Sequence, residues 1–269
     1  MKLTTVNICL LMALASVANY TLAENYQFEA AIGVSDGEAD TGGSDVDIEG
    51  ENVGLVLHFS EVDTSKGPLA ESSFLDRASS VSIGYSTSEV GNVDTDILAT
   101  SFRLVSKEYG ATAEFFVLDG EVDNAVDADA DSFGLSIGYY ITENTELSVS
   151  HMEFEVDDSG DTDSSLLQIK HVSTGNTAFS IEAAIGIVEA DTSNDTVYSL
   201  GGTIYLTSRL GIGANYSLVD SPEDIEQYGA YVEWFVNPAI AIALSYDETE
   251  TDSDLSNSDA VSLNARFRF

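Results

Sequence analysis

The feature that most constrains this chain is a two-residue alternation of bulky apolar side chains with small or polar ones. In the segment 239–246, Ile240, Ile242, Leu244 and Tyr246 alternate with alanines and a serine. Successive side chains of a β-strand point to opposite faces, so the pattern predicts strands with one face of bulky apolar residues and one face of small or polar residues. The same alternation recurs along the chain, and no segment shows sustained helical periodicity.

About fourteen such segments can be counted, with twelve or sixteen strands as alternatives. The 21 glycines, only 3 prolines and many Tyr, Phe, Val and Ile residues also favour an all-β chain. The predicted strands are 26–35, 46–60, 79–90, 95–107, 110–122, 131–141, 145–157, 164–173, 177–190, 196–207, 209–220, 226–236, 239–250 and 259–269.

The connections between these segments alternate between acid-rich windows and tight turns. Even-numbered connections such as 142–145 and 237–238 are short, which is typical of hairpins. The basic residues other than Lys2 lie in or near these turns or at the C-terminus. Seven odd-numbered windows hold 33 of the 47 acidic residues and no Lys or Arg, and they are 36–47, 89–96, 119–131, 153–163, 189–195, 220–226 and 247–259.

An up-and-down meander of this kind is predicted to close into a cylinder. An open sheet of fourteen strands would expose two long edges and a large apolar face, whereas closure pairs every backbone group. With the bulky face outward and the small face inward, the cylinder suits hydrocarbon outside and water inside. The sequence therefore predicts a transmembrane antiparallel β-barrel in a bacterial outer membrane, surrounded by outer-membrane lipid.

The first 23 residues have the pattern of a secretory signal peptide. Lys2 supplies a charged start, Val6 to Ala18 an apolar run, and Ala23 a small residue for cleavage. Cleavage there would leave residues 24–269 as the barrel domain and would remove Cys9, the single cysteine. The mature chain would then have no disulfide and no thiolate metal site.

The C-terminal segment adds an independent signal. Val261, Leu263, Ala265, Phe267 and Phe269 alternate with polar and basic residues, and the chain ends on an aromatic residue. This segment resembles the terminal strand of bacterial outer-membrane barrels, which is read by the barrel-assembly machinery. The resemblance implies that Phe267 and Phe269 form an assembly signal, and that this machinery and periplasmic chaperones are partners.

The one long even-numbered connection, residues 61–78, carries a second resemblance. The sequence from Val62 to Ala78, VDTSKGPLAESSFLDRA, resembles a segment found early in the family of putative general bacterial porins. By the usual barrel topology this connection lies at the periplasmic end. Pro68 can start a short helix, which we expect to pack at the barrel mouth with Ala70, Phe74, Leu75 and Ala78 on one face.

The predicted function is passive diffusion of ions and small hydrophilic solutes through a water-filled porin. Acidic rings at one mouth would make the pore weakly cation-selective. The alternative is a non-conducting structural or adhesive barrel whose lumen is closed by residues 61–78, and the oligomeric state stays open. Among many Gly, Ser and Ala residues, the charged residues predicted to line the pore are Glu29, Arg103, Glu114, Lys170, Glu182, Glu233, Arg266 and Arg268.

Several other functions are disfavoured. A net charge of −38 repels nucleic acid. The three histidines show no metal-ligand spacing, and no nucleophile motif suggests an enzyme or a cofactor. The loop containing Asp123, Asp127, Asp129 and Asp131 has the two-residue carboxylate spacing of calcium loops but lacks an EF-hand's glycine and closing glutamate. Solvated extracellular loops are expected there, with calcium capture as the alternative.

Overall fold

The computed structural model describes residues 25–40, 45–123, 128–156, 160–190, 193–221, 224–251 and 257–269. The predicted signal peptide 1–23 and Asp127 lie outside the described residues, so both stay predictions. Within the described part of the chain, no helix is long and apolar enough to cross a bilayer.

Fourteen antiparallel strands form one closed barrel, in which every strand pairs with its sequence neighbours and β1 pairs with β14. The structure therefore confirms the count of fourteen over the alternatives of twelve and sixteen. The strands are β1 Asn25–Asp40, β2 Asp45–Asp63, β3 Ser80–Val90, β4 Val93–Val105, β5 Ala111–Asp123, β6 Ala128–Thr142, β7 Thr145–Val156, β8 Gly160–Ser173, β9 Ala178–Ala190, β10 Ser193–Thr207, β11 Leu210–Asp220, β12 Ile225–Asn237, β13 Ile240–Thr251 and β14 Ser258–Arg268.

The last strand closes the barrel at the edge of β1. Glu29 lies opposite Arg268, and the ladder continues to Ala39 opposite Ser258. The final residue takes part as well, because the Phe269 carbonyl oxygen accepts backbone hydrogen bonds from Gln27 and Phe28 at 2.7 and 3.0 Å. Closure leaves no unpaired sheet edge, which a bilayer would penalise heavily.

The alternation predicted from the sequence is realised as an apolar belt on the outer wall. On β13, Ile242, Leu244 and Tyr246 are exposed on the outside, whereas Ala241, Ala243 and Ser245 face the lumen. Large apolar side chains on all fourteen strands repeat this arrangement. The belt supplies the hydrocarbon-facing surface that a membrane barrel needs.

The acid-rich windows differ from the expected loops, because their residues extend the strands. β1 and β2 stay paired as far as Asp40 opposite Asp45. Asp123 is the last residue of β5, and Asp129 and Asp131 lie in β6 instead of a loop. Eleven of the fourteen strands have 12 to 19 residues and exceed the roughly 9–11 residues that span a bilayer, so their acidic ends project beyond the apolar belt.

The opposite end of the barrel has the predicted tight turns and one longer connection, residues 64–79, which we call the lumen segment. It contains two 3-10 turns, Thr64–Lys66 and Leu69–Glu71, and one turn of α-helix, α1, at Ser72–Leu75. The expected helix therefore begins four residues after Pro68. The lumen segment also does not pack beneath the mouth, because Leu69 is buried against Phe235 and Ala241, which point into the barrel from β12 and β13.

Candidate pore constriction

The eight charged residues predicted to line the pore all lie on the inward face of the barrel. Glu233, for example, lies between the outward Val232 and Trp234 on β12. Six of them form ion pairs with one another: Glu29 with Arg268, Arg103 with Glu114, and Glu233 with Arg266. Lys170 pairs with the lumen segment, and Glu182 accepts a hydrogen bond from Gln168.

The first anchor of the lumen segment is Arg268, whose side chain is almost fully buried. Its Nε donates to Glu29 Oε2 at 2.9 Å, and a terminal nitrogen donates to the Leu69 carbonyl oxygen at 2.9 Å. The guanidinium lies 4.3 Å above the ring of Tyr26 and 4.7 Å above that of Phe235. One side chain thus joins barrel closure at β1–β14 to the seating of the lumen segment.

The second anchor is Glu71, which is buried. Its carboxylate contacts Lys170 Nζ at 3.0 Å and accepts a hydrogen bond of 2.7 Å from the hydroxyl of Tyr205. Burial raises the pKa of Glu71, but the charge of Lys170 and hydrogen bonds from Tyr205, Lys170 and Ser180 outweigh it. The pKa therefore lies below its ordinary value, and Glu71 is a carboxylate at neutral pH.

The third anchor involves α1 and the residues after it. Asp76 pairs with Lys66 and, at 3.0 Å, with Lys107 in the turn between β4 and β5. The hydroxyl of Tyr140 donates to the Phe74 carbonyl oxygen at 3.0 Å, and the two rings pack with centroids 5.2 Å apart. The lumen segment is consequently fixed on both sides of the barrel mouth.

A cavity of about 460 Å³ remains between α1 and the opposite wall of the barrel. Hydroxyl groups of Ser80, Ser82, Ser101 and Ser148 line one part of it. A further cavity, of about 310 Å³, borders Glu71 and Tyr231. The remaining lining of the first cavity is charged, polar or aromatic and comprises Glu29, His58, Phe74, Arg103, Glu114, Glu146, Gln168, Lys170 and Glu182, with Val56 and Ala78.

The charges around this cavity do not cancel. Arg103 is held between Glu114 at 3.1 Å and Glu146 at 2.5 Å. Lys170 lies opposite Glu182 in the β8–β9 register, but its ammonium group contacts Glu71. Glu182 has no ion pair with a basic residue among the described residues and borders both cavities. The lining of this cavity therefore has an excess of negative charge.

The sequence analysis missed Glu71, Glu146 and His58. Glu146 was hidden because it is the second residue of β7, next to a turn, where alternation is too short to assign a face. His58 is also inward and contacts Glu29 at 2.9 Å. Glu71 could not be found from periodicity, because it lies in irregular backbone that only tertiary contacts fold into the lumen.

At the acidic end, Asp123, Asp129 and Asp131 point outward from the wall. In the part of the chain that the structure covers, one group brings three candidate metal-ligand atoms within 4.8 Å of one another, namely His151, Glu153 and Asp163. All three side chains are exposed on the outer face. The sequence shows no metal-ligand spacing around His151, and the grouping arises because Asp163 comes from the neighbouring strand β8.

The closed barrel, its apolar belt and its charged lumen define an outer-membrane β-barrel of the channel type. The sequence profile of the family described as Putative general bacterial porin matches residues 1–179 and 156–269. The chain belongs to this family, and it is a protein of the bacterial outer membrane.

Solved structures share the fold. The outer membrane protein Omp33 of Acinetobacter baumannii aligns over 91% of this chain and 99% of its own, with 23% identity and a TM-score of 0.63. The CymD monoaromatic hydrocarbon channel aligns over 91% of this chain and 89% of its own, at 11% identity and a TM-score of 0.58. A FadL homologue of Pseudomonas aeruginosa covers 90% of both chains, at 10% identity and a TM-score of 0.53. A comparison with curated proteins gives no significant match.

Proposed function

We propose that the protein is a passive diffusion channel for ions and small hydrophilic solutes, with weak selectivity for cations. The observation that supports this most is the polar cavity between the lumen segment and the serine-rich wall of β3, β4 and β7. Inward serines and glycines leave room for water in a cylinder of this width. Solutes would pass beside α1, between Phe74 and the charged side chains of the wall.

Cation selectivity follows from the charge at this constriction. Glu182 presents a carboxylate to the passage without an ion-pair partner in the described residues, whereas Arg103 and Lys170 are both neutralised by carboxylates. An unpaired charge in a narrow, partly desolvated passage acts on ions much more strongly than a charge on the outer wall. Glu182 is therefore proposed as the main selectivity residue.

This assignment predicts the effect of changing Glu182 on ion selectivity. Refolded residues 24–269 in a planar bilayer should show stable conductance steps, and a KCl gradient should give a cation-selective reversal potential. Glu182→Gln should bring that potential close to zero, and Glu182→Lys should reverse its sign.

Asp119→Asn is the matched control, because Asp119 points outward from β5 above the belt. It should leave the reversal potential nearly unchanged. An anion-selective wild-type pore, or an equal effect of Asp119→Asn and Glu182→Gln, would contradict the assignment. A correctly folded barrel that never conducts would favour the alternative of a structural or adhesive protein.

The buried Glu71 predicts a dependence on acidic pH. In the unfolded chain this carboxyl keeps a pKa near 4.5, and in the folded barrel its pKa is lower. The stabilisation of the lumen segment is then complete above pH 4.5 and is lost as the pH falls through the lowered folded value. Open-channel current noise should rise reversibly in strongly acidic buffer, because the segment loses its charge pairing with Lys170.

The matched variant is Glu71→Gln, which keeps the size and a hydrogen-bonding group but cannot titrate. It should show raised noise already at neutral pH and little further change on acidification. If the variant and the wild type respond to acid in the same way, another group controls the response.

Other expectations remain proposals. We propose that the barrel-assembly machinery reads Phe267 and Phe269, and that periplasmic chaperones deliver the chain to it. Calcium capture near Asp123, Asp127, Asp129 and Asp131 stays the alternative to solvated carboxylates, and cleavage after Ala23 stays a prediction. No enzymatic role and no cofactor are proposed.

A further inference from the structure

Above the apolar belt, the outward residues of the barrel wall become acidic and the inward residues become apolar. On β5, outward Phe115 and Val117 are followed by outward Asp119 and Glu121. The inward positions change in the opposite sense, from Glu114 to large apolar residues. Across β4 to β8, the outward acidic residues above the belt are Asp94, Asp96, Asp119, Glu121, Asp123, Asp129, Asp131, Glu153, Glu155, Asp161 and Asp163.

The inward residues at this height form a cluster that we call the apolar lumen face: Phe116, Leu118, Met152, Phe154 and Leu166. In the strand registers, Phe116 and Met152 both lie opposite Gly134, and Leu118 and Phe154 both lie opposite Ser132. Large side chains thus alternate with small ones across β5, β6 and β7. Ser132 and Gly134 form the floor between these large side chains.

Two contacts show that the large side chains fold over this floor. A Cβ atom at Gly134 would lie 1.8 Å from the ring of Phe116, so the ring lies directly on the glycine. Gly186 on β9 receives Leu166 in the same way, at 2.4 Å. Ser132 is only 4% exposed, and its hydroxyl has no hydrogen-bond partner among the described residues. The large side chains therefore cover the floor, and their own surfaces form the face that a solute would contact.

The apolar lumen face adjoins the constriction. Leu166 and Gln168 are successive inward residues of β8, about 7 Å apart along the strand. Gln168 donates to Glu182 at 2.5 Å. A molecule lying on the face can thus direct a second group toward the unpaired carboxylate of the passage.

The charge distribution determines whether the second group of the bound molecule is a cation or an anion. The wall outside the face is strongly acidic, and Glu182 adds a negative charge at its inner end. Such a field raises the local concentration of cations and repels anions. Aromatic rings and a thioether on the face, from Phe116, Phe154 and Met152, favour apolar groups and attract cations to the ring faces.

We propose that the preferred solutes of this channel are small organic cations that carry an aromatic or branched apolar group. The apolar group binds the apolar lumen face, and the ammonium group points to Glu182 before the solute passes the lumen segment. This proposal rests on the proposed channel function and names its substrate class.

The test compares three probes added to the acidic side of the conducting barrel: phenethylammonium, ethylammonium and phenylacetate. Phenethylammonium should interrupt the KCl current at about tenfold lower concentration than ethylammonium, because only it combines both interactions. Phenylacetate should have little effect. Equal potency of the two cations would overturn the proposal, as would stronger block by phenylacetate.

Phe154→Ser should remove most of the difference between the two cations, and Phe154→Leu should retain part of it. Asp119→Asn, with an outward side chain on β5, is the control and should preserve the difference. Each variant must migrate as a heat-modifiable folded barrel. Wild-type block that persists unchanged in Phe154→Ser would contradict the proposed face.

Equilibrium binding separates this proposal from the channel function. Isothermal titration of phenethylammonium into the detergent-folded barrel should show binding that Phe154→Ser weakens about tenfold, whether or not the barrel conducts. Absence of KCl steps with intact binding would refute the channel alone. KCl steps without preferential binding of phenethylammonium would refute the solute class alone.

Discussion

Replacing residues 66–77 with a short Gly-Ser turn is expected to raise the single-channel conductance about two- to fivefold, because fourteen strands enclose a lumen too wide for small inward side chains to fill. The lumen segment crosses this space and is fixed at three anchors: Leu69 to Arg268, Glu71 to Lys170, and Asp76 to Lys107. Its removal leaves the serine-lined wall as the boundary. The measurement is conductance in symmetrical KCl.

A less drastic variant checks that the gain is due to the segment itself. Glu71→Ala releases one anchor without changing the length of the chain, and it should give fluctuating conductance between the wild-type and deletion levels. Both variants should remain heat-modifiable, since β2 and β3 stay paired from Ile48 to His58 without the segment. An unchanged conductance in the deletion would mean that ions do not pass beside the segment.

Arg268→Ala is expected to destabilise the barrel by about 3–5 kcal/mol, the usual effect of removing one partner from a buried ion pair. The Arg268 side chain is 3% exposed and that of Glu29 12%, so the substitution removes a directly hydrogen-bonded positive charge from a mostly buried carboxylate. It also removes the hydrogen bond to Leu69 and the contacts with Tyr26. Unfolding in urea, followed by tryptophan fluorescence in lipid vesicles, gives the free energy.

The matched control lies two residues earlier on the same strand. Arg266 pairs with Glu233 at 3.2 Å, and the two side chains are 37% and 13% exposed, so Arg266→Ala should cost less than Arg268→Ala because water already screens the guanidinium. In addition, Arg268→Met combined with Glu29→Met should recover much of the lost stability, because neither charge then remains buried. Equal losses for Arg266→Ala and Arg268→Ala would show that burial does not decide the effect.

The wall of the barrel was predictable because its rule is local. Two-residue alternation places Ile242 and Ala243 on opposite faces of the strand. The bulky apolar face turns to lipid and the small face to water, and both features can be seen within one strand. The inward positions of Arg103 and Glu233 follow from the same rule. The alternation of the terminal segment likewise predicted a last barrel strand, whereas the hydrogen bonds of Phe269 to β1 came from the structure.

In the acid-rich windows, the two-residue alternation of the strands continues beyond the apolar belt. Their high content of acidic residues suggested loops, yet Glu121 and Asp129 lie opposite each other in paired strands. Backbone pairing continues beyond the membrane because each added pair extends an existing ladder. The charges then face water on the outside, and Leu118 and Phe154 take the inward positions.

By itself the sequence determined about fourteen strands, an apolar outer wall and two ends of different chemical character, since each of these is a sum of local choices. Only the tertiary structure decided that Glu71 and Leu69 lie within the lumen, that Arg103 and Lys170 are neutralised while Glu182 is not, and that aromatic residues line the acidic end. Those properties depend on which distant side chains meet across a closed cylinder. These contacts depend on the strand register and on the curvature of the barrel, which no single strand encodes.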